Sequence, residues 1–342
     1  PIALGVLNGR EVPLQMIPQE GDRICFLGMN SVESYNTYIS TFLFVLIAAM
    51  NRARPQVMLE VQNTFGNALY CDIKNKIVLS DYDLADVAAE MKAMIQEKTP
   101  ITLSFKKKQE AWSYVKPRFY CDQAPLLSAL PDDVEIPVYE LDGVSAYFVN
   151  PLLPHLGYLK EFELIRMGSG ILLRYGKRGH YDRLEPFARR DKLAAVYADS
   201  EKMGQRLHCP TVAALNQFIK RGNSREIILA CEAQHEKKIA QIADAIASEE
   251  RGVRLVLIAG PSSSGKTTFS QRLAVQLRVN GMRPIPISMD NYFKERKDTP
   301  RLPDGSYDFE SLGALDTDLF NEQLHELLQG KTVTIPHFSF HT

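Results

Sequence analysis

The feature that most constrains this chain is a glycine-bounded loop at residues 260–267. The loop reads Gly-Pro-Ser-Ser-Ser-Gly-Lys-Thr and so matches the Walker A pattern G-x-x-x-x-G-K-[ST]. An apolar run at 255–259 precedes it, and a segment with Phe269, Leu273 and Leu277 at helical spacing follows it. Strand, glycine loop and helix is the order that a phosphate-binding loop requires. We therefore predict an α/β P-loop NTPase domain with a parallel sheet.

The residue types of this loop indicate what it binds. Backbone N–H groups of a glycine-rich nest point at phosphate oxygens, and the helix behind them adds the positive end of its dipole. We expect the Lys266 ammonium to reach the β- and γ-phosphates of ATP and the Thr267 hydroxyl to ligate Mg²⁺. The alternative is a Gly/Ser-rich turn that binds nothing. The predicted ATP-binding residues are Gly260, Pro261, Ser262, Ser263, Ser264, Gly265, Lys266, Thr267 and Thr268.

Composition excludes several classes of protein. The 342 residues, 45% hydrophobic and 24% charged, are ordinary for a folded soluble protein of two or three domains. Forty Lys and Arg against 41 Asp and Glu leave no overall charge signature for nucleic acid or membrane. Five scattered cysteines without a C-x-x-C motif favour a reducing compartment over a disulfide framework or zinc knuckle. We therefore expect a cytoplasmic protein without a membrane partner.

Two further observations concern the ends and the longest apolar run. That run, at residues 42–50, has nine residues, whereas a membrane span needs about 18 or more. It therefore predicts a core helix. No signal peptide is recognised, and the chain begins at Pro1, which indicates a trimmed chain or a fragment.

The first two hundred residues show an α+β pattern. Asn8-Gly9 is a strong hairpin signal, and residues 32–52 predict a helix. Ser80 and Asp83 have the spacing of a capping box that opens an amphipathic helix, and residues 136–175 are rich in strand formers. The apolar face of the capped helix consists of Leu84, Val87, Met91, Met94 and Ile95.

After this region the pattern becomes helical and then α/β. Residues 211–250 predict connecting helices, and residues 284–288 predict a second strand that ends just before Asp290. Ligands of open parallel sheets lie beyond the carboxyl ends of the strands, so we expect Asp290 near the γ-phosphate. There it can take a proton from an acceptor hydroxyl and help to hold Mg²⁺. The alternative is a solvated aspartate that opens a turn.

Five motifs, in this order and at these separations, resemble the uridine kinase and phosphoribulokinase family. They are residues 260–268, 288–293, 307–310, 315–316 and 335–340. The resemblance implies ATP and Mg²⁺ as cofactors, Lys266 as a catalytic residue, and Asp290 as the base that acts on a sugar 5′-hydroxyl and as a metal ligand beside Thr267. It further implies an acceptor site for nucleobase and ribose. The implied acceptor-binding residues are Tyr292, Phe293, Phe309, Glu310 and Phe338.

Departures from the family pattern bear on the acceptor. Glu310 stands at a position of Asp, and Phe293 and Phe338 stand where the family usually carries tyrosines. These changes keep a stacking surface but alter reach and remove hydroxyls, to which a hydrogen-bonding site is sensitive. The resemblance therefore does not identify uridine as the acceptor. The chain also stops at Thr342, before the family's later acidic metal ligand and its lid, so the kinase domain is incomplete.

A second resemblance covers most of the remainder. Residues 65–72, 90–92, 99–101, 110–111 and 162–164 look like the editing-type domain of threonyl-tRNA synthetase. In addition, residues 1–28 look like the tail of a small TGS module. The synthetase domain carries two His and a Cys–His pair. In this chain the four aligned residues do not form a credible set of metal ligands, so editing hydrolysis is not expected. These residues are Ser40, Phe44, Phe148 and Leu152.

The arrangement that these two resemblances imply is similar to that of the long bacterial uridine kinase-like proteins. It predicts four segments. They are a partial TGS-like module at 1–30, an editing-like α+β domain at 31–205, a helical linker at 206–250 and an incomplete P-loop kinase domain at 251–342.

Two functions follow from this organisation. The first is a kinase that transfers the γ-phosphate of ATP to a hydroxyl of a nucleoside or related small molecule. The second is a nucleotide-gated RNA-binding or regulatory protein whose synthetase-like module engages tRNA or another partner. Asp290 and Phe309 favour the kinase, because a switch ATPase needs no stacking aromatic there. A kinase of RNA ends or modified nucleosides would unite both halves.

Overall fold

The structure, a computed structural model, describes residues 1–114, 127, 130–188, 190–248, 250, 252–261 and 263–339. The chain divides into two compact units, Pro1–Lys220 and Arg221–Thr342. The described strands of the first unit are β1 (Ile2–Leu7), β2 (Arg10–Val12), β3 (Ile24–Gly28), β4 (Leu59–Thr64), β5 (Ala68–Ile73), β6 (Thr102–Lys107), β7 (Glu135–Leu141), β8 (Val144–Tyr147), β9 (Phe162–Met167) and β10 (Gly170–Tyr175). Its described helices are α1 (Val32–Ala53), α2 (Asp81–Gln96), α3 (Lys108–Tyr114), α4 (Asp191–Arg206) and α5 (Val212–Lys220).

The first unit opens with an antiparallel sheet of order β2-β1-β3. Its hairpin pairs Leu7 with Arg10 across a loop in which Asn8 and Gly9 have φ of 53° and 81°. Two consecutive positive φ values are what a type I′ turn needs, and Asn-Gly is the pair that tolerates them best. The hairpin prediction is confirmed.

Two further antiparallel sheets, β4-β5-β10-β9 and β6-β7-β8, enclose the core together with α1 and α2. The prediction of a helix over 32–52 is confirmed by α1, whose side chains from Thr41 to Met50 are all buried. Although α1 is long and apolar enough to cross a membrane, 67% of its apolar window is buried inside the unit. Its apolar run is accounted for by contacts with α2, β1, β7 and β8.

The capping box at the start of α2 is confirmed. The Asp83 N–H donates to Ser80 Oγ at 3.2 Å, and the Ser80 N–H donates to Asp83 Oδ2 at 2.7 Å. Leu84, Val87 and Met91 are buried with Met94 on the predicted apolar face. A local hydrogen-bond motif and a helical period thus determine this element.

The strand-rich stretch is also confirmed, with β7 to β10 falling within or beside residues 136–175. Within this stretch the run Tyr147-Phe148-Val149 predicts a strand, but Phe148 and Val149 lie just after β8 and not in a strand. Phe148 is buried in the core, while Val149 is 75% exposed.

The second unit contains α6 (Ser224–Ala247), α7 (Lys266–Val279) and α8 (Thr317–Leu328). Helices α6 and α7 pack through Ile239, Ala243, Leu273 and Leu277. The predicted helix after the glycine loop is therefore confirmed.

The strands predicted in this unit are not formed. In residues 252–261 and 263–339 the structure assigns isolated bridges but no strand, and Leu257 is 78% exposed. A strand is completed by hydrogen bonds to a neighbour, and an apolar run alone does not supply that neighbour. The chain is thus a mixed α/β protein, and the parallel sheet stays a prediction.

Candidate functional site

The glycine loop turns sharply into the N-terminus of α7. Ser263 has φ of 56° and Gly265 has φ of 84°, so the backbone passes through the left-handed region twice. Gly265 is the N-cap and supplies no side chain to the first turn of α7, whose N–H groups are left for an external acceptor. A helix start of this kind favours a phosphate group.

Lys266 lies folded over the loop. Its Nζ donates to the carbonyl oxygens of Gly260 at 2.7 Å and Pro261 at 2.9 Å. A Cβ at Gly260 would lie 2.7 Å from Ser264 Oγ, so a larger residue at position 260 would require the Ser264 side chain to move. The Lys266 ammonium is thus held against the loop by two backbone carbonyls.

The structure also describes most of the other predicted residues of the loop. Ser264 and Pro261 are joined by a backbone hydrogen bond of 3.3 Å, and Thr267 and Thr268 lie exposed in the first turn of α7. Ser262 lies outside the described residues.

Asp290 lies in a short 3-10 turn at Met289–Tyr292, with its side chain exposed. The Asp290 N–H donates to Ser288 Oγ at 3.3 Å, which caps the turn. No hydrogen bond or ion pair among the described residues joins Asp290 to the glycine loop, so its role as base stays a prediction.

Tyr292 anchors this turn to α8. It is 2% exposed, its hydroxyl donates to Gln323 Oε1 at 2.8 Å, and its ring meets Phe320 edge-on with centroids 5.1 Å apart. Burial raises the pKa of Tyr292. The structure therefore assigns Tyr292 a supporting position, apart from the other predicted acceptor-binding aromatics.

Three of the predicted acceptor residues form one group, which we call the aromatic cluster: Phe293, Phe309 and Phe338. Ring centroids are 5.5 Å apart for Phe293 and Phe309, 5.4 Å for Phe293 and Phe338, and 6.5 Å for Phe309 and Phe338. All three are half-buried. The sequence separations hide this proximity, which the chain achieves by folding residues 293–338 back on themselves.

A hairpin-like turn that sequence reasoning missed extends the aromatic cluster. Arg301 bridges to Tyr307, its guanidinium lies 4.4 Å from the Tyr307 ring centroid, and that ring lies 5.8 Å from Phe309. Arg301 also donates to the Gly305 carbonyl at 2.7 Å. The signal that predicts such a turn is the pair Asp304-Gly305.

Glu310 lies at the rim, with an exposed side chain and an N–H that donates to Asp308 Oδ1 at 3.2 Å. The structure thus brings Phe293, Phe309 and Phe338 together and leaves Glu310 open to solvent beside them. The assignment of these residues to an acceptor stays a prediction.

The four positions aligned with the synthetase ligands lie close together in the first unit. Phe44 and Phe148 are buried with ring centroids 5.2 Å apart, and Leu152 is fully buried. Ser40 Oγ accepts a 3.2 Å hydrogen bond from Asn150. Apolar packing occupies these positions.

One group of carboxylates in the first unit has the spacing of metal ligands. Oxygen atoms of Glu60, Asp72 and Glu201 lie within 4.8 Å of one another. Lys74 pairs with Glu60 and lies 4.0 Å from Glu201, so a protein cation already compensates part of this charge. Desolvation, with the neighbouring carboxylates, raises the pKa of Glu201.

Comparison with known proteins finds relatives of two kinds. The chain is 27% identical to a threonine–tRNA ligase of Chlamydia trachomatis over 165 residues, which are 48% of this chain and 26% of the ligase. It is 39% identical to a uridine kinase of Schizosaccharomyces pombe over 92 residues, 26% of this chain and 20% of the kinase. A uridine kinase of Mycoplasma genitalium is 34% identical over 92 residues, 27% of this chain and 42% of the kinase.

The chain therefore spans about a quarter of the ligase it matches and less than half of either kinase. The ligase similarity lies in the N-terminal region. Residues 255–342 match the model of the Phosphoribulokinase / Uridine kinase family. The C-terminal part of this chain thus carries a phosphoribulokinase/uridine kinase family domain, joined to an N-terminal region similar to threonine–tRNA ligases.

Proposed function

We propose that this protein is a kinase that transfers the γ-phosphate of ATP to a hydroxyl of a nucleoside or a related small molecule. The observation that carries the proposal is the loop at residues 260–268. In this loop α7 starts at Gly265 without a side-chain cap, and the Lys266 ammonium is bonded to the Gly260 carbonyl. The match of residues 255–342 to a kinase family supports it.

The residues of the loop fit a bound triphosphate. The N–H groups at the start of α7 would bind phosphate oxygens, and Lys266 would exchange its carbonyl partners for β- and γ-oxygens. A larger residue at Gly260 would displace the Ser264 side chain within this loop. Thr267 and Asp290 would hold Mg²⁺, which neutralises charge on the phosphates when bound.

Asp290 would serve as the general base. Its carboxylate is exposed on a turn that Tyr292 ties to α8 by a hydrogen bond and a ring contact. An anchored turn limits the positions of the carboxylate, and positioning is a large part of phosphoryl-transfer catalysis. Asp290 would accept the proton of the acceptor hydroxyl as its oxygen attacks the γ-phosphorus.

The aromatic cluster would seat the acceptor. Phe293, Phe309 and Phe338 provide ring faces but no hydroxyl, while Glu310 at the rim provides a carboxylate that can accept from sugar hydroxyls. Such a site selects a flat ring by stacking and a sugar by hydrogen bonds. A nucleoside combines both features.

We further propose that the protein acts in the cytoplasm and that the N-terminal region scaffolds the kinase or binds its own ligand. The segment limits 1–30, 31–205, 206–250 and 251–342 remain part of this proposal.

The test is acceptor-dependent ADP release by the full-length protein across nucleosides, sugar phosphates and tRNA. Turnover with one acceptor class that is lost in Asp290→Asn would support the proposal and name the substrate. ATP binding without acceptor-dependent turnover would overturn it in favour of a nucleotide-gated binding protein.

A further inference from the structure

A cavity of about 220 Å³ lies in the first unit, apart from the glycine loop in sequence and in unit. Its walls come from the turn between β4 and β5, from the end of β9, from β10 and Lys177 after it, and from the segment before α4. This volume equals that of roughly seven liquid waters. The enclosed space therefore holds a ring or a phosphate group with part of a sugar, and a ligand with all three parts would extend over the exposed side chains of Lys177, Phe187 and Arg190.

The charge around this cavity is positive. Arg174, Lys177 and Arg190 line it, against a single lining carboxylate, Glu185. Lys177 and Glu185 are 3.5 Å apart and both 56% exposed, so solvent screens their attraction. The Arg190 side chain is exposed, and it makes no hydrogen bond or ion pair with the part of the chain that the structure describes; the Arg190 carbonyl accepts from the Ala194 N–H at 3.0 Å. Two of the three cations are thus available to an anion.

The third cation is held in place. The Arg174 side chain is 12% exposed, pairs through one terminal nitrogen with Glu163 and donates through the other to the Glu185 carbonyl. A guanidinium carries more N–H donors than these two partners use. Because its orientation is fixed before a ligand arrives, Arg174 loses little side-chain entropy on binding.

Two aromatic rings line the same cavity. Phe187 lies with its ring centroid 5.0 Å from the Arg174 guanidinium and is 38% exposed. Phe65 is half-buried and meets Tyr197 edge-on with centroids 5.3 Å apart. An edge-on neighbour restrains Phe65, so both rings are positioned by the protein.

We propose that this cavity binds a nucleoside phosphate, either as a free nucleotide or as a nucleotide of single-stranded RNA. Phe65 and Phe187 would stack on the base, and Lys177 and Arg190 would bind the phosphate. Aromatic faces beside basic side chains are the combination that single-stranded nucleic acids select. An inorganic anion would leave the rings unused, and an apolar ligand would leave the cations unpaired. The proposal does not depend on the kinase activity.

The experiment measures binding to the full chain carrying Lys266→Ala, so that nucleotide binding by the glycine loop is weakened in every sample. The probes are AMP, a fluorescein-labelled six-nucleotide oligoadenylate RNA, and inorganic phosphate, each titrated at low and at physiological salt. The variants are Lys177→Ala with Arg190→Ala, and Phe187→Leu, all at exposed positions. Lys76→Ala is the matched control, because Lys76 is exposed beyond the opposite end of β5.

We expect AMP or the oligonucleotide to bind, with Kd raised at least about tenfold by the double basic variant and about three- to tenfold by Phe187→Leu. Lys76→Ala should change Kd by less than about twofold. Binding of AMP would identify a free nucleotide as the source, and binding of the oligonucleotide alone would identify RNA. Absence of binding by both, equal affinity for inorganic phosphate, or equal losses in Lys76→Ala would overturn the proposal.

Discussion

The rings of Phe44 and Phe148 are in direct contact, with centroids 5.2 Å apart and exposed fractions of 0% and 8%. Phe44 lies on α1 and Phe148 just after β8, and both belong to the main core of the first unit. These are two of the four positions that align with metal-ligand residues of the editing-type synthetase domain. Of the four aligned positions, only Ser40 carries a side-chain electron-pair donor for a metal.

Replacing Phe44 by Ala should destabilise the first unit strongly. A buried phenylalanine that becomes alanine removes apolar contacts and leaves a cavity, at a cost of about 3–5 kcal/mol in the free energy of unfolding. Urea unfolding followed by circular dichroism measures this change. Phe26→Ala is the control, because Phe26 is 60% exposed on β3. Equal effects of the two variants would contradict the core role of Phe44.

Lys266→Ala should weaken ATP binding by about tenfold or more. The variant removes a charge-assisted interaction with the phosphates, an interaction worth roughly 1.5–3 kcal/mol. Calorimetric titration of ATP·Mg²⁺ measures the affinity. Lys297→Ala is the control, because Lys297 is an exposed lysine of the same unit whose partner is Glu295. An unchanged affinity in Lys266→Ala would remove the phosphate-binding role of the loop.

Asp290→Asn should separate nucleotide binding from transfer. The amide keeps the size of the side chain but cannot accept the proton of a hydroxyl, so turnover should fall by about 10²–10⁴-fold. ATP affinity should change little, because the loop supplies most phosphate contacts. Single-turnover transfer and calorimetry on the same preparation measure the two quantities. Full turnover in the variant would show that another group acts as base.

Phe309→Ala should weaken acceptor binding more than ATP binding. Phe309 contacts both Phe293 and Phe338, so its loss removes one of the three rings of the aromatic cluster and the contacts that this ring makes with the other two. Loss of one base-stacking ring costs roughly 1–3 kcal/mol, which predicts a rise in the acceptor KM of about fivefold or more. Steady-state kinetics with each substrate varied in turn measures the effect. Phe309→Tyr is the matched variant and should retain most of the affinity.

The capping box of α2 should make the first unit sensitive to acid. Hydrogen bonds from the Ser80 side chain and backbone, together with Arg54, lower the pKa of Asp83 from 3.8 to about 2. Because the folded pKa lies below the unfolded one, the stabilisation is complete above the unfolded pKa and is lost as the pH falls through the folded value. The Tm difference between the native protein and Asp83→Asn should therefore shrink between about pH 4 and pH 2.

A second carboxylate of the same turn provides the control for this measurement. Asp81 is 86% exposed and lies 3.8 Å from Arg166, a weaker arrangement than the contacts of Asp83. Asp81→Asn should show a smaller Tm difference at pH 6 and little change on acidification. A pH dependence as large as that of Asp83→Asn would locate the acid sensitivity elsewhere.

Local signals in the sequence determined the elements whose cause is itself local. Asn8-Gly9 specifies a turn with two positive φ values, Ser80 and Asp83 specify a helix start, and the glycine loop specifies the start of α7. In each case the interacting groups lie within a few residues of one another. The resemblance of five motifs also indicated the kinase family domain, whose family model matches residues 255–342.

Tertiary structure decided what depends on distant partners. The apolar runs at 255–259 and 284–288 were predicted as strands, but a ladder of hydrogen bonds needs a neighbouring strand that no local pattern supplies. The contacts among Phe293, Phe309 and Phe338, and the basic and aromatic lining around Arg174, join residues far apart in sequence. Periodicity shows which face of an element is apolar, whereas the side chains that meet across elements depend on how those elements pack.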